Sequence, residues 1–375
     1  MKILFLVYHG LSNYSGISKK ILEQVKGLKE NGHKVHLCTY IVEENGHRKR
    51  IIDNQEIEDL GTGIMAKLKK RCCYSSILGF IRKQHIELVY VRSFHNANPF
   101  TIHLFKQIKK WGIKAVMEIP TYPYDAEYAG ADRRVRLNLT IDKLYRRRLA
   151  KQMTAIVTYA DTKKIFGQRT ICISNGIDFS TLPLRVRQAN KDIHLIGVAE
   201  VHYWHGYDRV IHGIGEYYKR PHDKNVYFHI VGGVAPSEMY DTAQAPGFDR
   251  YIKQYDIEKQ IIFHGQKYGK ELDELFNAAD FAIGSLARHR TKIDKIKTLK
   301  NREYAARGIP FIYSETDEDF DRMPYVLKAP ADESPVSIQA IIQFYEALNS
   351  TPEQIRASIK HLSWRNQMEQ VINEL

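Results

Sequence analysis

Residues 2–40, KILFLVYHGLSNYSGISKKILEQVKGLKENGHKVHLCTY, change period three times within one short stretch. From Lys2 to Tyr8 the chain is apolar after the opening lysine, with β-branched members, the composition of a strand buried on both faces. A glycine- and serine-rich turn follows. Ile21, Leu22, Val25 and Leu28 then recur at helical spacing until Asn31-Gly32 ends the helix. KVHLCTY resumes as a strand, so the stretch reads as one βαβ unit, the building block of a parallel sheet covered by helices.

Outward from there the alternation continues through IELVYVRS, a helix around 102–110, IKAVMEIP, a helix from about 136 to 150, TAIVTYA and RTICISNGI. Residues 181–192, TLPLRVRQANKD, break the period and read as a linker. A second series then starts afresh: DIHLIGVAEV, a helix over 207–218, NVYFHIVGG, a helix near 248–255, QIIFHG, a helix over 270–278, DFAIGS, a helix over 300–307, IPFIYS, and helical sequence from 337 onward. Two successive open α/β sheets are expected, with domains at 1–185 and 186–355 and a terminal helix in 356–375. In such sheets ligands bind outside the carboxyl ends of the strands. A length of 375 residues fits two cores better than one.

Composition narrows the class. Hydrophobic residues at 43% and charged residues at 26% are ordinary globular values, and no apolar run approaches the roughly 18 residues of a membrane-spanning helix. The opening apolar run is short and no small-residue cleavage pattern follows, so a secretory leader is not expected. Cys38 and Cys172 lie in strand-like runs and Cys72 and Cys73 are adjacent, which suits a reducing cytoplasm better than a disulfide framework or a zinc site. The net charge of +13 attracts polyanions. Basic clusters at Lys67, Lys69, Lys70 and Arg71, at Arg133, Arg134 and Arg136, and at Arg146, Arg147 and Arg148 read either as solvated faces or as contacts to an anionic membrane surface. Nucleic acid is not an expected partner, because no small aromatic-basic module appears. No G-x-G-x-x-G follows a strand, which disfavours a dehydrogenase.

The stretch 298–315, TLKNREYAARGIPFIYSE, carries the chemistry. Lys300 and Glu303 lie one turn apart on one face at a helix start. Free N–H groups and the helix dipole already favour phosphate there, Lys300 adds a full charge, and Glu303 can accept hydrogen bonds from both hydroxyls of a ribose. With Tyr304, Ala306, Gly308 and Pro310, this segment resembles the donor-binding motif of the retaining GT-B glycosyltransferases of the family 4 type. The resemblance extends along most of the chain. The loop at Gly16 is similar to the family's glycine loop near the donor phosphates, FHIVGG to the glycine pair here at Gly232 and Gly233, and the loop after Gly265 to the segment that brackets the nucleobase. HLSWRNQMEQVINEL is similar to the last helix, which in that family crosses back onto the N-terminal domain.

The resemblance implies a GT-B architecture of two Rossmann-like domains facing across a cleft, with a UDP- or GDP-sugar donor. It also implies retention of configuration. The basic N-terminal clusters lead to the expectation of a glycan or polyprenyl-linked acceptor in surface polysaccharide synthesis, on or near the inner membrane face. Lys300 and Glu303 become the expected catalytic pair. No Asp-x-Asp motif stands in a suitable loop, so neither metal nor cofactor is expected. Departures from the family pattern are plain. Glu200 stands where the family has an Arg, and His205, before Gly206, where it has a Lys; His205 and Arg209 are the remaining phosphate donors. Lys295 replaces the family's first glutamate, in a basic loop with Arg288, Arg290, Lys292 and Lys297, of which Arg288 is favoured to supply charge. Pro120 stands where members often carry a His. On the acceptor side Glu118, Tyr122, Tyr124 and Asp125 are candidates, the tyrosines as a stacking surface for a sugar ring, together with His95 and Asn96. The rival readings are a sugar-nucleotide epimerase on the same double fold and a non-catalytic nucleotide-binding protein.

Overall fold

The computed structural model describes residues 1–12, 15–93, 95–125 and 133–375. The chain divides into two compact units, Met1–Gly176 with Leu362–Leu375, and Ile177–His361.

Unit 1 is built on β1 (Lys2–Leu6), β2 (Lys34–Val42), β3 (Arg48–Ile52), β4 (Gln55–Gly61), β5 (Leu88–Arg92), β6 (Lys114–Ile119), β7 (Ala155–Thr158), β8 (Lys164–Ile165) and β9 (Gln168–Cys172), in the order β4-β3-β2-β1-β5-β6-β7-β9-β8. The strands from β2 through β1, β5, β6 and β7 to β9 pair parallel. The periodicity of the sequence did not disclose β3 and β4, an antiparallel hairpin added at the edge. Its turn, Asp53-Asn54, takes left-handed φ values of 49° and 66°, the conformation that two-residue hairpin loops favour.

The helix Gly16–Glu30 is capped by Ser15, whose side chain accepts from Ser18 N, and it buries Ile21, Val25 and Leu28. These residues share a core layer with Ile3, Phe5 and Val7 of the first strand and with Trp364, Met368 and Val371 of the helix Trp364–Asn373. On the other face of the sheet, Leu4, Leu6, Val89, Val91, Phe105 and Ile156 form a second layer.

Unit 2 holds β10 (Ile193–Val198), β11 (Val226–Val231), β12 (Ile261–Gly265), β13 (Phe281–Ile283), β14 (Phe311–Tyr313) and β15 (Val326–Lys328), all parallel, in the order β12-β11-β10-β13-β14-β15. The expected boundaries shift. Residues 177–185 belong to unit 2 because Leu182 and Arg185 are buried there, Arg185 donating to the carbonyls of Ala279 and Gly308. Arg356 likewise ties residues 356–361 to unit 2, bonding the carbonyls of Phe179, Leu182 and Ala306. The stretch read as a linker is therefore the packed margin of a domain. All four cysteines are free, and no described helix is long and apolar enough to cross a membrane.

Candidate functional site

In both sheets the chain winds outward in two directions from one pair of neighbouring strands, β1/β5 in unit 1 and β10/β13 in unit 2. The loops leaving the carboxyl ends of such a pair diverge and open a crevice, which is where open α/β sheets bind ligands.

In unit 2 the crevice collects residues from three strand ends. After β10 come His205 and Tyr207, after β13 comes Arg288, and the helix Leu299–Arg307 brings Lys300 just before β14. That helix forms where the sequence indicates. Thr298 caps it by accepting from Asn301 N, and Gly308, at φ 74°, ends it in the left-handed conformation. Lys300 Nζ lies 3.4 Å from the Tyr207 hydroxyl. Burial, reinforced by Arg288 and opposed by Glu315, pushes its ammonium down to about 7.

Arg288 is held low first by burial, with Glu315 opposing, and its guanidinium lies 5.6 Å from the Trp204 ring centre. His205 is 7% exposed, and its Nδ1 accepts from His202 N at 3.0 Å. Burial, then Lys300 and Arg288, keep it far below the ordinary histidine range. The ring is therefore neutral, with its proton on Nε2, and offers phosphate a hydrogen bond without a charge. Glu303 follows one turn after Lys300. Its Oε1 accepts from Arg307 Nε at 3.0 Å, and among the described residues no hydrogen bond to Oε2 is formed.

Gly232, Gly233 and Gly265 form the floor at the ends of β11 and β12. Gly232 takes φ 128°, its N–H bonds Gly265 O at 2.8 Å, and a Cβ there would stand 1.7 Å from Ala199 O, so only glycine fits. A Cβ on Gly233 would stand 2.4 Å from a carboxylate oxygen of Glu200, which reaches Gln266 Nε2 at 3.4 Å. The position where the resembling family carries a cation here holds an anion over the glycine loop.

Arg209 is a correction. It is 2% exposed and donates to the carbonyls of Leu286, Ser334 and Pro330 and to Asp332, so its guanidinium clamps loops and is not free for phosphate. Arg290 is likewise committed, to Asp208 and Glu333. Lys295 pairs with Glu318 at the surface.

In unit 1 the crevice is a cavity of about 370 Å³, lined among the described residues by His9, Ser12, Ser15, Arg92, His95 and Tyr124 with others, none of them acidic. Gly16 opens the helix beside it, with open space where a Cβ would be. His95 lines the cavity at φ 46°, its ring 4.4 Å from that of Tyr124, and burial holds it below the ordinary histidine value.

The other acceptor-side residues are placed differently. Glu118 is fully buried, and its carboxylate accepts from Gln24, Tyr90 and Arg92 at 2.7 Å and from Tyr159 at 3.2 Å. Burial alone would raise its pKa, but Arg92, Lys20 and these bonds outweigh that and hold it low. It is a structural hub and does not line the cavity. Tyr122 packs edge-on against Phe166 at 5.7 Å, and Tyr124 is 4% exposed with its hydroxyl on Asp142 at 2.8 Å, so the two tyrosines make no open stacking surface. Asp125 is paired with Arg146, and Asn96 donates to Tyr74.

Two further residues of the unit 2 crevice, Tyr207 and Glu315, have no signal in local spacing. Glu315 ends the stretch 298–315, yet only the pairing of strand ends brings it toward Arg288 and Lys300.

Solved structures align over nearly the whole chain. A sucrose-phosphate synthase from Thermosynechococcus elongatus matches with a TM-score of 0.65 at 13% identity, over 100% of this chain and 97% of that one. A glycosyltransferase from Rickettsia africae ESF-5 gives 0.61 at 12%, over 100% and 97%. The catalytic domain of starch synthase IV from Arabidopsis thaliana, bound to ADP and acarbose, gives 0.59 at 12%, over 99% and 98%. The chain has the GT-B fold. No family model and no curated protein matches its sequence, so the likeness is one of fold. The two crevices of this GT-B chain therefore have to be read from their own side chains.

Proposed function

We propose that this protein is a glycosyltransferase that takes a sugar from a nucleoside diphosphate donor held in the unit 2 crevice. The observation that carries the reading is the meeting of Lys300, Arg288 and the neutral His205 at the N-terminus of the helix Leu299–Arg307, beside the switch point of a parallel sheet. Such a place suits a diphosphate: helix N–H groups and two cations face it, and Glu303 Oε2 is left to receive ribose hydroxyls. When the sugar–phosphate bond breaks, negative charge develops on the leaving diphosphate, and these preorganised donors stabilise it. In this reading side chains supply the neutralising charge in place of a metal, and retention of configuration follows the resemblance. That the similar starch synthase is bound to ADP and acarbose supports the substrate class.

The acceptor is assigned to the unit 1 cavity, and a lipid-linked acceptor at an anionic membrane face is the form we favour. The helix Gly63–Cys72 buries only Ala66. It exposes Ile64, Met65 and Leu68 beside exposed Lys67 and Lys69. Arg71 joins it to the helix Arg133–Ala150 through Asn138, and that helix exposes Leu137 and Leu144 among exposed arginines. Apolar side chains set among cations suit an anionic lipid interface. Lys70 is set apart from this face, its ammonium 3.8 Å from the Tyr40 ring centre.

Thermal shift with UDP, GDP, ADP, CMP and their sugars tests the donor reading, since a ligand of the folded state raises stability by mass action. One nucleotide series should stabilise the protein, and Lys300→Ala with Glu303→Ala should abolish the shift. If every nucleotide leaves the melting temperature unchanged, the reading is wrong. Sedimentation with phosphatidylglycerol vesicles tests the membrane face. Ile64→Glu with Leu68→Glu should release the protein, and binding that survives them would remove that assignment.

A further inference from the structure

The unit 2 crevice holds one more charged group, Glu315, just past β14. Beyond Tyr313 the chain is fixed on both sides. Ser314 N bonds Ser285 O at 3.0 Å, Thr316 N bonds Asp294 O at 2.7 Å, and Ile296 N bonds Thr316 O at 3.0 Å. Glu315 stands between these anchors, 2% exposed, and no other described residue gives either carboxylate oxygen a hydrogen bond. The cations that act on it are Arg288, Lys300 and Lys328, and the last is already committed to Asp321 and to the Glu315 backbone carbonyl. Ser285 Oγ, Ser314 Oγ, Asn301 Oδ1 and Arg288 Nε, which belong to the same strand ends and helix start, are also buried without a hydrogen-bond partner among the described residues.

Native proteins rarely leave buried polar atoms unsatisfied, and a group of them beside a binding crevice points to a ligand that supplies the missing bonds. What is missing here is mostly donors. A carboxylate and an amide oxygen only accept, the two hydroxyls do either, and Arg288 Nε alone must donate.

Resting on the donor reading above, we propose that Glu315 reads the transferred sugar: its two oxygens accept sugar hydroxyls beside Lys300 and Arg288, so the site takes a neutral glycosyl group and rejects a uronic acid. The diphosphate meets the cations and the sugar's hydroxyls meet the acceptors. A carboxylated sugar would set like charge against Glu315 in a buried place.

The test is calorimetric titration of the full chain with UDP, GDP and ADP. The same titration is run with the glucose, galactose and N-acetylglucosamine conjugates of the nucleotide that binds, and with its glucuronate conjugate. The wild type should bind at least one neutral conjugate about tenfold or more tighter than the bare nucleotide, the scale of a lost hydrogen bond to a charged group, and should gain nothing from glucuronate. Glu315→Gln should remove that increment, read as the ratio of conjugate to bare-nucleotide affinity in the same variant, and with it the discrimination against glucuronate. The ligand-free melting temperature checks folding, and Glu315→Asp, which withdraws the carboxylate, gives the same readout if the glutamine variant fails to fold. The proposal is overturned if the increment survives both variants, or if bare nucleotide and conjugate weaken in step, as a merely structural role would require. Should no nucleotide bind at all, the donor reading falls first and this proposal with it.

Discussion

Nucleotide binding should depend steeply on pH through Lys300. The ammonium is pushed down to about 7 in the ligand-free protein, first by burial and then by Arg288. The negative charge of a diphosphate in the crevice offsets the burial penalty as well as the field of Arg288 and returns Lys300 toward the ordinary lysine range near 10.4. Between these values the complex holds a proton that the free protein lacks, so binding takes up a proton and affinity falls as pH rises. The affinity curve should be flat below about pH 6 and approach tenfold loss per pH unit above about pH 8, about 50-fold between pH 7 and 9, or roughly 2.3 kcal/mol. Glu315, raised to about 7 chiefly by burial, titrates in the same window, and the apparent midpoint belongs to the pair. Calorimetry from pH 6 to 9, in two buffers of different ionisation enthalpy, measures both the slope and the proton uptake. Lys300→Met should bind weakly throughout and show a much shallower slope. A flat wild-type profile above pH 7, or a slope unchanged in Lys300→Met, would refute the reasoning.

The same depressed lysine acts on stability with a definite sign. The unfolded chain holds the proton up to the ordinary lysine range, so ligand-free stability rises with pH above about 7. Lys300→Met should accordingly stabilise the empty protein at pH 6, by about 1.4 kcal/mol for each tenfold depression it removes; urea midpoints that fall instead would contradict this. Glu118→Gln breaks the buried hub on Arg92, Tyr90, Gln24 and Tyr159 and should cost about 3–5 kcal/mol. Its activity loss should follow unfolding, and a fully stable yet inactive variant would restore the acceptor role that the sequence suggested. Gly232→Ala drives a Cβ into Ala199 O and should cost about 3 kcal/mol or more, while a denaturation midpoint within error of wild type would show that the loop relaxes. The His205 ring should stay neutral across pH 5–8 with an unprotonated Nδ1, and an NMR titration step in that range would disprove it.

What could be read without coordinates follows from local rules. Strand and helix alternate because burial on a sheet and on a helix demand different periods, and both series of units are visible in that alternation. The helix start at Lys300 was legible for the same reason: Thr298, Lys300, Glu303 and Gly308 act within one short element, where capping and turn spacing are set by neighbours in sequence. The hairpin of Arg48–Ile52 and Gln55–Gly61 escaped that reading, because its exposed edge carries charged residues in place of a clean apolar period.

The tertiary structure decided which polar residues face a ligand. Arg209 and Arg288 are both arginines near the same crevice, yet the first is turned onto the carbonyls of Leu286, Pro330 and Ser334 and the second is left with a buried, unpartnered Nε. Glu118 lies at the carboxyl end of an apolar strand, where site residues of such sheets are expected, but Gln24 and Tyr159 from distant segments close around it. Glu315 carries no motif and joins the crevice because β14 pairs beside β13. Secondary structure is a short-range consequence of side-chain period, whereas the partners of a charge come from strand order, which joins residues a hundred positions apart and leaves no period to read.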